Sequence, residues 1–203
     1  MTSTGYRLSF TSGGLLVREA TVAVEYFERL NDWTQVRSAI EEDNGLQART
    51  VSTGARLTRE VVQRLSELRD TEIALLADGT ESERSGLMWV AACRRYEFLS
   101  EFAEEVVRER FLLMTPTLDQ THFDSFLASK SLWHQELAGL AESTRRKLRS
   151  NLFLMLRQAG MVTESGEIVQ FVLTERMSRL LSSETPSDVR LFPNNEVGSG
   201  GFS

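Results

Sequence analysis

Ser143-Thr144-Arg145-Arg146-Lys147-Leu148-Arg149 places four cations within seven residues, and Arg157 adds a fifth before the segment closes at Ala159-Gly160. No carboxylate interrupts the run from Ser143 to Gly160, although the 203-residue chain carries a formal charge of −6. Scattered charge would serve solubility equally well, so this local reversal of sign asks for another reason. Arg145 and Arg149 are four apart and Arg146 and Arg149 three apart, which groups them opposite Leu148, Leu152 and Met155 on a helix. The first N–H groups of a helix lack partners and, with the positive end of the dipole, attract phosphate. Ser143 is the expected N-cap. The spacing therefore predicts a polyanion-binding helix, with DNA the obvious candidate, contacted by Ser143, Thr144, Arg145, Arg146, Lys147 and Arg149. The plainer alternative is a solvated face whose cations pair with acidic neighbours.

A second basic stripe lies upstream. Arg56, Arg59 and Gln63 follow at spacings of three and four, on a face distinct from Leu57, Val61 and Leu65, with Arg49 just before them. Two readings stay open. Arg56 and Arg59 are further DNA contacts in a phosphate-binding strip, or they are surface partners of Glu60 and Glu67.

Signals for catalysis are weak. His122 and His134 stand twelve apart, with Asp124 and Glu136 each two positions beyond one of them. Helical metal ligands are usually spaced three to five apart or include cysteine, so surface histidines are expected. Cys93 beside Arg94-Arg95 has the neighbours that lower a thiol pKa, but a buried helical cysteine is the commoner case. Gly13-Gly14 lacks the Lys-Ser/Thr of a nucleotide loop. Glu41-Glu42-Asp43 and Glu104-Glu105 read as solvated helix faces. The expectation is a non-enzymatic protein with no metal and no cofactor.

Helices must position these residues. Leu16, Ala20, Ala23, Phe27 and Leu30 recur at spacings of four and three, an amphipathic face. Asp32 with Gln35 resembles a capping box for a second helix through Trp33, Val36 and Ile40, stopped by Asn44-Gly45. A third helix is expected from Ser52, with Leu57, Val61, Leu65 and Leu68 inward. A short one follows at 71–77, then one long helix or two end to end over 82–113, broken at Pro116. Beyond it, Phe123, Phe126 and Leu127 mark one helix, and Leu132, Trp133, Leu137 and Leu140 another. The basic helix buries Leu148, Leu152, Met155 and Ala159. Residues 161–173 read as a β-hairpin around Glu164-Ser165-Gly166-Glu167, and Thr174 caps a last helix through Leu181.

Helix, turn, basic helix, hairpin, helix is the order of a winged helix-turn-helix. The fold expected is mainly α, with a helical bundle over 1–115, a winged-helix-like module over 116–182 and a flexible tail over 183–203. Within that tail, Leu191-Phe192-Pro193 is an apolar island that could dock on the body or on a partner. A lone cysteine excludes an internal disulfide and points to the cytoplasm. The N-terminus lacks a secretory layout, and no apolar run approaches the roughly 18–20 residues that span a bilayer.

Three segments carry a family resemblance. They are Gly13-Gly14-Leu15-Leu16-Val17-Arg18-Glu19-Ala20, then Glu42-Asp43-Asn44-Gly45-Leu46-Gln47 with the Arg56–Arg59 helix, then Glu142 to Arg149 running on to Gln158-Ala159-Gly160-Met161. In that order they resemble the BrxA family, a small component of BREX (bacteriophage exclusion) defence systems of bacteria and archaea. The resemblance runs from residue 5 to about residue 181. It implies a mostly helical protein, related in fold to bacterial antitermination-factor bundles, that binds double-stranded DNA without catalysis. It implies partners as well: a DNA methyltransferase, a large ATPase and a phosphatase-like protein. Carried over residue by residue, it assigns DNA contact to Ser143, Thr144, Arg145, Arg146, Lys147 and Arg149, and to Arg56 and Arg59.

Two other functions compete with DNA binding. One is a protein–protein scaffold, motivated by the acidic remainder and the apolar island. The other is a transcriptional regulator of winged-helix type. Such regulators usually dimerise on two half-sites, and the sequence offers no clear dimerisation helix.

Overall fold

Apolar residues at helical spacing become helices throughout, and the described residues hold no regular strand. The computed structural model describes residues 5–10, 14–183 and 185–195; Gly13 and the Gly198-Ser199-Gly200-Gly201 run lie outside them. In chain order the helices are α1 (Val17–Leu30), α2 (Trp33–Asp43), α3 (Val51–Leu65), α4 (Asp70–Asp78), α5 (Glu81–Arg95) and α6 (Glu97–Phe102). A π-helical stretch, Ala103–Arg108, leads into α7 (Glu109–Leu112). Then come α8 (Gln120–Ser131), α9 (Gln135–Ala138), α10 (Glu142–Gln158), α11 (Glu175–Leu181) and a 3-10 turn, Asp188–Leu191.

Local signals set many of the ends. Asp32 accepts from the Gln35 N–H at 2.8 Å, one half of the capping box expected there. Asn44 takes the left-handed conformation that stops α2. Thr50 accepts from the Thr53 N–H, so α3 opens one residue before the expected Ser52. Asp32→Ala should lower stability by about 1 kcal/mol, read as a reduced thermal midpoint. An unchanged midpoint would mean that the cap contributes nothing to stability.

The chain forms two compact units, Leu15–Arg95 and Met1–Gly14 with Tyr96–Ser203. In the first, α5 touches α1, α3 and α4, and Ser85 through Cys93 are all buried. A helix apolar on every side belongs at the centre of a bundle. Around it lie Ala20 and Val24 of α1, Val61 and Leu65 of α3, and Leu76 of α4, with Val36 and Ile40 of α2 packed beyond α1 and α3. Two buried carboxylates are paired here: Glu60 with Arg64 at 2.9 Å, and Glu72 with both Arg69 and Arg94.

The second unit is built on aromatic rings. Phe98 and Phe102 of α6 meet Phe123 and Phe126 of α8 at centroid distances of 5.1–6.2 Å. Phe10 packs against Tyr96 and Phe98 from the N-terminal segment. This cluster explains why the units divide at Arg95/Tyr96, whereas the sequence suggests a boundary next to Pro116. The 82–113 run likewise breaks at Tyr96, whose backbone is extended (φ −122).

Three expectations for the C-terminal half differ from what the structure holds. The hairpin over 161–173 is reduced to a turn with one antiparallel bridge, Val162–Ile168, flanked by the Val169 N–H donating to the Met161 carbonyl at 2.9 Å. The ladder stops because other partners take the next backbone groups: Glu167 bridges Thr117, and the Phe171 N–H donates to the Pro193 carbonyl. Gly166 (φ +85) fits that crossing, since a Cβ there would lie 2.5 Å from the Leu118 carbonyl oxygen. Second, Leu132 and Trp133 are not on the core face of a helix; α9 starts only at Gln135. Third, the described part of the expected flexible tail is packed. Leu191 and Phe192 are buried, Phe192 meets Phe171 at 4.6 Å, and Arg190 pairs with Glu104 at 2.9 Å. The apolar island docks on its own unit. Residues 184 and 196–203 of that tail lie outside the described residues.

Candidate nucleic-acid interface

The basic segment forms α10, and its inner face is the one expected. Leu148, Leu152, Met155 and Ala159 are buried, joined by Leu156. The N-terminal segment crosses this helix: Asn151 Nδ2 donates to the Phe10 carbonyl at 3.0 Å. Gly14 (φ +55) lies so close to the end of α10 that a Cβ would stand 2.5 Å from Gln158 Oε1.

The helix start differs from the expected one. α10 opens at Glu142 with Ala141 as N-cap, which has no side-chain acceptor, so Ser143 is an exposed first-turn residue and not the cap. The helix begins two residues earlier than a Ser143 cap would set, and a carboxylate at Glu142 in its first turn is favoured by the dipole. Glu142 also places one negative charge beside the cations.

The cations are not equivalent. Lys147 is exposed, and among the described residues no carboxylate lies within ion-pair distance of it. Arg146 is exposed and only loosely held by Glu142 at 3.8 Å, on the same helix. Arg145 is half-buried; its Nη2 donates to the Ala138 carbonyl at 3.4 Å, and among the described residues it forms no ion pair and its Nε has no partner. Arg149 is engaged: its Nη1 donates to both Asp124 oxygens, at 2.9 and 3.0 Å, tying α10 to α8. Arg157 meets Glu164 at 3.4 Å. Asp124, Ser131, Glu142, Arg145 and Arg149 line a depression of about 260 Å³ beside the helix start. Asp124 is the residue the sequence could not reveal, since 25 positions separate it from Arg149.

The upstream stripe comes out more open than the ion-pair reading allows. Arg56 and Arg59 are exposed on α3, and Arg49 just before it is exposed too. Their expected partners are taken: Glu60 by Arg64, and Glu67 by Arg95 at 3.4 Å.

The remaining polar candidates are structural. His122 Nδ1 sits 2.8 Å from Asp119 Oδ1 and accepts from the Asp119 N–H, closing a cap on α8. The His134 ring packs on Tyr6 at 4.2 Å, with Nδ1 3.2 Å from Glu136. Hydrogen bonds from its own N–H and that of Tyr6, then from His134, hold the Glu136 carboxyl below its usual range. Cys93 is buried. Among the described residues no cluster of His, Cys, Asp and Glu could hold a metal ion. No helix there is long and apolar enough to cross a membrane.

The family model for BrxA matches residues 4–185, nearly the whole chain. The chain belongs to the BrxA family. It is 29% identical over 150 residues to "BREX protein BrxA" of Escherichia coli O9:H4 (strain HS), covering 74% of this chain and 70% of that protein. A second "BREX protein BrxA", of Paramagnetospirillum magneticum, is 24% identical over 160 residues, covering 79% and 80%. Among solved structures, an uncharacterized protein from Magnetospirillum magneticum superposes with a TM-score of 0.78 at 20% identity, over 93% of this chain and 96% of that one. That likeness matches the mainly helical fold of this BrxA-family chain to a crystal structure.

Proposed function

We propose that this BrxA-family chain is a non-enzymatic, double-stranded-DNA-binding component of a BREX phage-defence system, working in the cytoplasm beside the other BREX proteins. The observation that carries the reading is the start of α10. There Arg145, Arg146 and Lys147 stand without a carboxylate from any other described helix, in a chain of net negative charge. Phosphate is the ligand that such a helix start attracts. We read α8, α9 and α10 with the turn over 163–166 as a winged-helix-like module following a helical bundle, and α10 as its phosphate-contacting helix. Arg56 and Arg59 on α3 are a second set of contacts, since the acids expected to pair with them, Glu60 and Glu67, are held by Arg64 and Arg95. Docking of Leu191 and Phe192 on their own unit removes the island that motivated the scaffold reading.

Titrating the full chain with a duplex oligonucleotide at several salt concentrations tests this. Affinity should fall steeply as salt rises. Binding that is absent, or indifferent to salt, would overturn the reading. Asp124 competes with phosphate for Arg149, so Asp124→Asn should tighten duplex binding by roughly two- to fivefold and steepen the salt slope by about one unit. Unchanged binding would mean that Arg149 faces only Asp124.

A further inference from the structure

We infer that Trp133, with Leu132, is a base-stacking wedge beside the cations of α10, and that the chain prefers DNA whose stack is interrupted by an unpaired base. The inference rests on the DNA-binding reading and adds to it a ligand feature that the cations do not select.

Large apolar side chains seldom stay in water. Trp133 is 83% exposed and Leu132 78%, adjacent residues in the turn between α8 and α9. A tryptophan buries more area than any other side chain when it finds a partner, so leaving one in solvent is costly unless something covers it. The backbone beneath it is held. The N–H groups of Trp133 and His134 both donate to the Lys130 carbonyl at 3.1 Å. His134 is fixed in turn by the Tyr6 ring and Glu136. Lys130 is anchored between Glu101 and Glu105, each at 2.7 Å. The turn is thus rigid while its two apolar side chains stay free, so little ordering remains to be done when a ligand arrives.

Charge decides what the ligand is. Ser131, the residue before Leu132, lines the same depression as Arg145 and Arg149. The apolar pair therefore borders the cationic end of α10 within one unit. Cations that track phosphates next to an exposed aromatic form the arrangement that receives an unstacked base, and apolar wedges enter the stack from such positions. Asp124 and Glu142 share that lining, so the cations left for phosphate are Arg145 there and the exposed Arg146 and Lys147 on α10.

The test uses the full chain, two duplexes that differ by one bulged 2-aminopurine, and the variants Trp133→Ala and Trp133→Phe. The native chain should bind the bulged duplex roughly tenfold more tightly than the paired one, with quenched 2-aminopurine emission. Trp133→Ala should bind both duplexes alike without quenching, while Trp133→Phe keeps most of the preference. A native chain without preference, or a Trp133→Ala variant that keeps it, overturns the inference and leaves the DNA-binding reading standing. If the native chain binds neither duplex, that reading falls first. If sedimentation shows native self-association that Trp133→Ala abolishes, with DNA preference untouched, the patch belongs to a second copy and the wedge is overturned.

Discussion

Replacing Arg145 and Lys147 together by alanine is expected to flatten the dependence of log binding constant on log salt by about two units, one for each phosphate left without its cation. At moderate salt, duplex affinity should fall by at least about 2 kcal/mol, roughly thirtyfold, since the proposed function has both deleted side chains donating charge-assisted hydrogen bonds to phosphate. The fold should be indifferent to the change. Lys147 is exposed, Arg145 forms no ion pair among the described residues, and the core face of α10 is carried by Leu148, Leu152 and Met155. The control is Arg37→Ala with Arg179→Ala, which removes the same charge from two exposed pairs within single helices. If net charge alone governed binding, the two double variants would lose affinity equally, and the assignment to α10 would be wrong. If neither loses affinity while the native chain binds DNA, Arg56 and Arg59 become the primary contacts.

Much of this architecture can be read from spacing alone, because helices are local. The inner faces of α1, α2, α3 and α10 follow from apolar residues three and four apart, and the Asp32 and Asn44 ends from cap chemistry. What spacing missed depends on neighbours distant in sequence. Asp124 reaches Arg149 only because α8 lies against α10. The hairpin shortened because residues 116–118 and Pro193 claimed its backbone groups. Leu132 and Trp133 fit a helical apolar face by pattern, yet the turn through Lys130 presents them to solvent. Periodicity marks residues that want burial without saying what buries them.

The largest expected loss of stability is at Glu72. Its side chain is fully buried; Arg94 donates to both carboxylate oxygens at 2.7 Å, and Arg69 adds its guanidinium at 2.6 Å and its N–H at 2.8 Å. Burial pushes this carboxyl upward, but the hydrogen bonds from Arg94 and Arg69 outweigh it and bring the pKa from 4.5 to about 2. A carboxylate depressed on folding stabilises the native state above its unfolded pKa, and that stability is lost as pH falls through the folded value. The window here runs from about 4.5 down to about 2, and the contribution is about 3 kcal/mol at neutral pH. Arg94→Met leaves Glu72 buried with Arg69 alone and also frees the Glu67 carbonyl that Arg94 holds at 2.8 Å. It should cost about 3–5 kcal/mol in denaturant unfolding at pH 7. Glu72→Gln separates charge from shape: native and variant stabilities should converge as pH falls from about 5 toward about 2, because the native carboxylate is then protonated. A constant gap across that range would mean that the cluster acts through packing and hydrogen-bond geometry, with no part played by the charge.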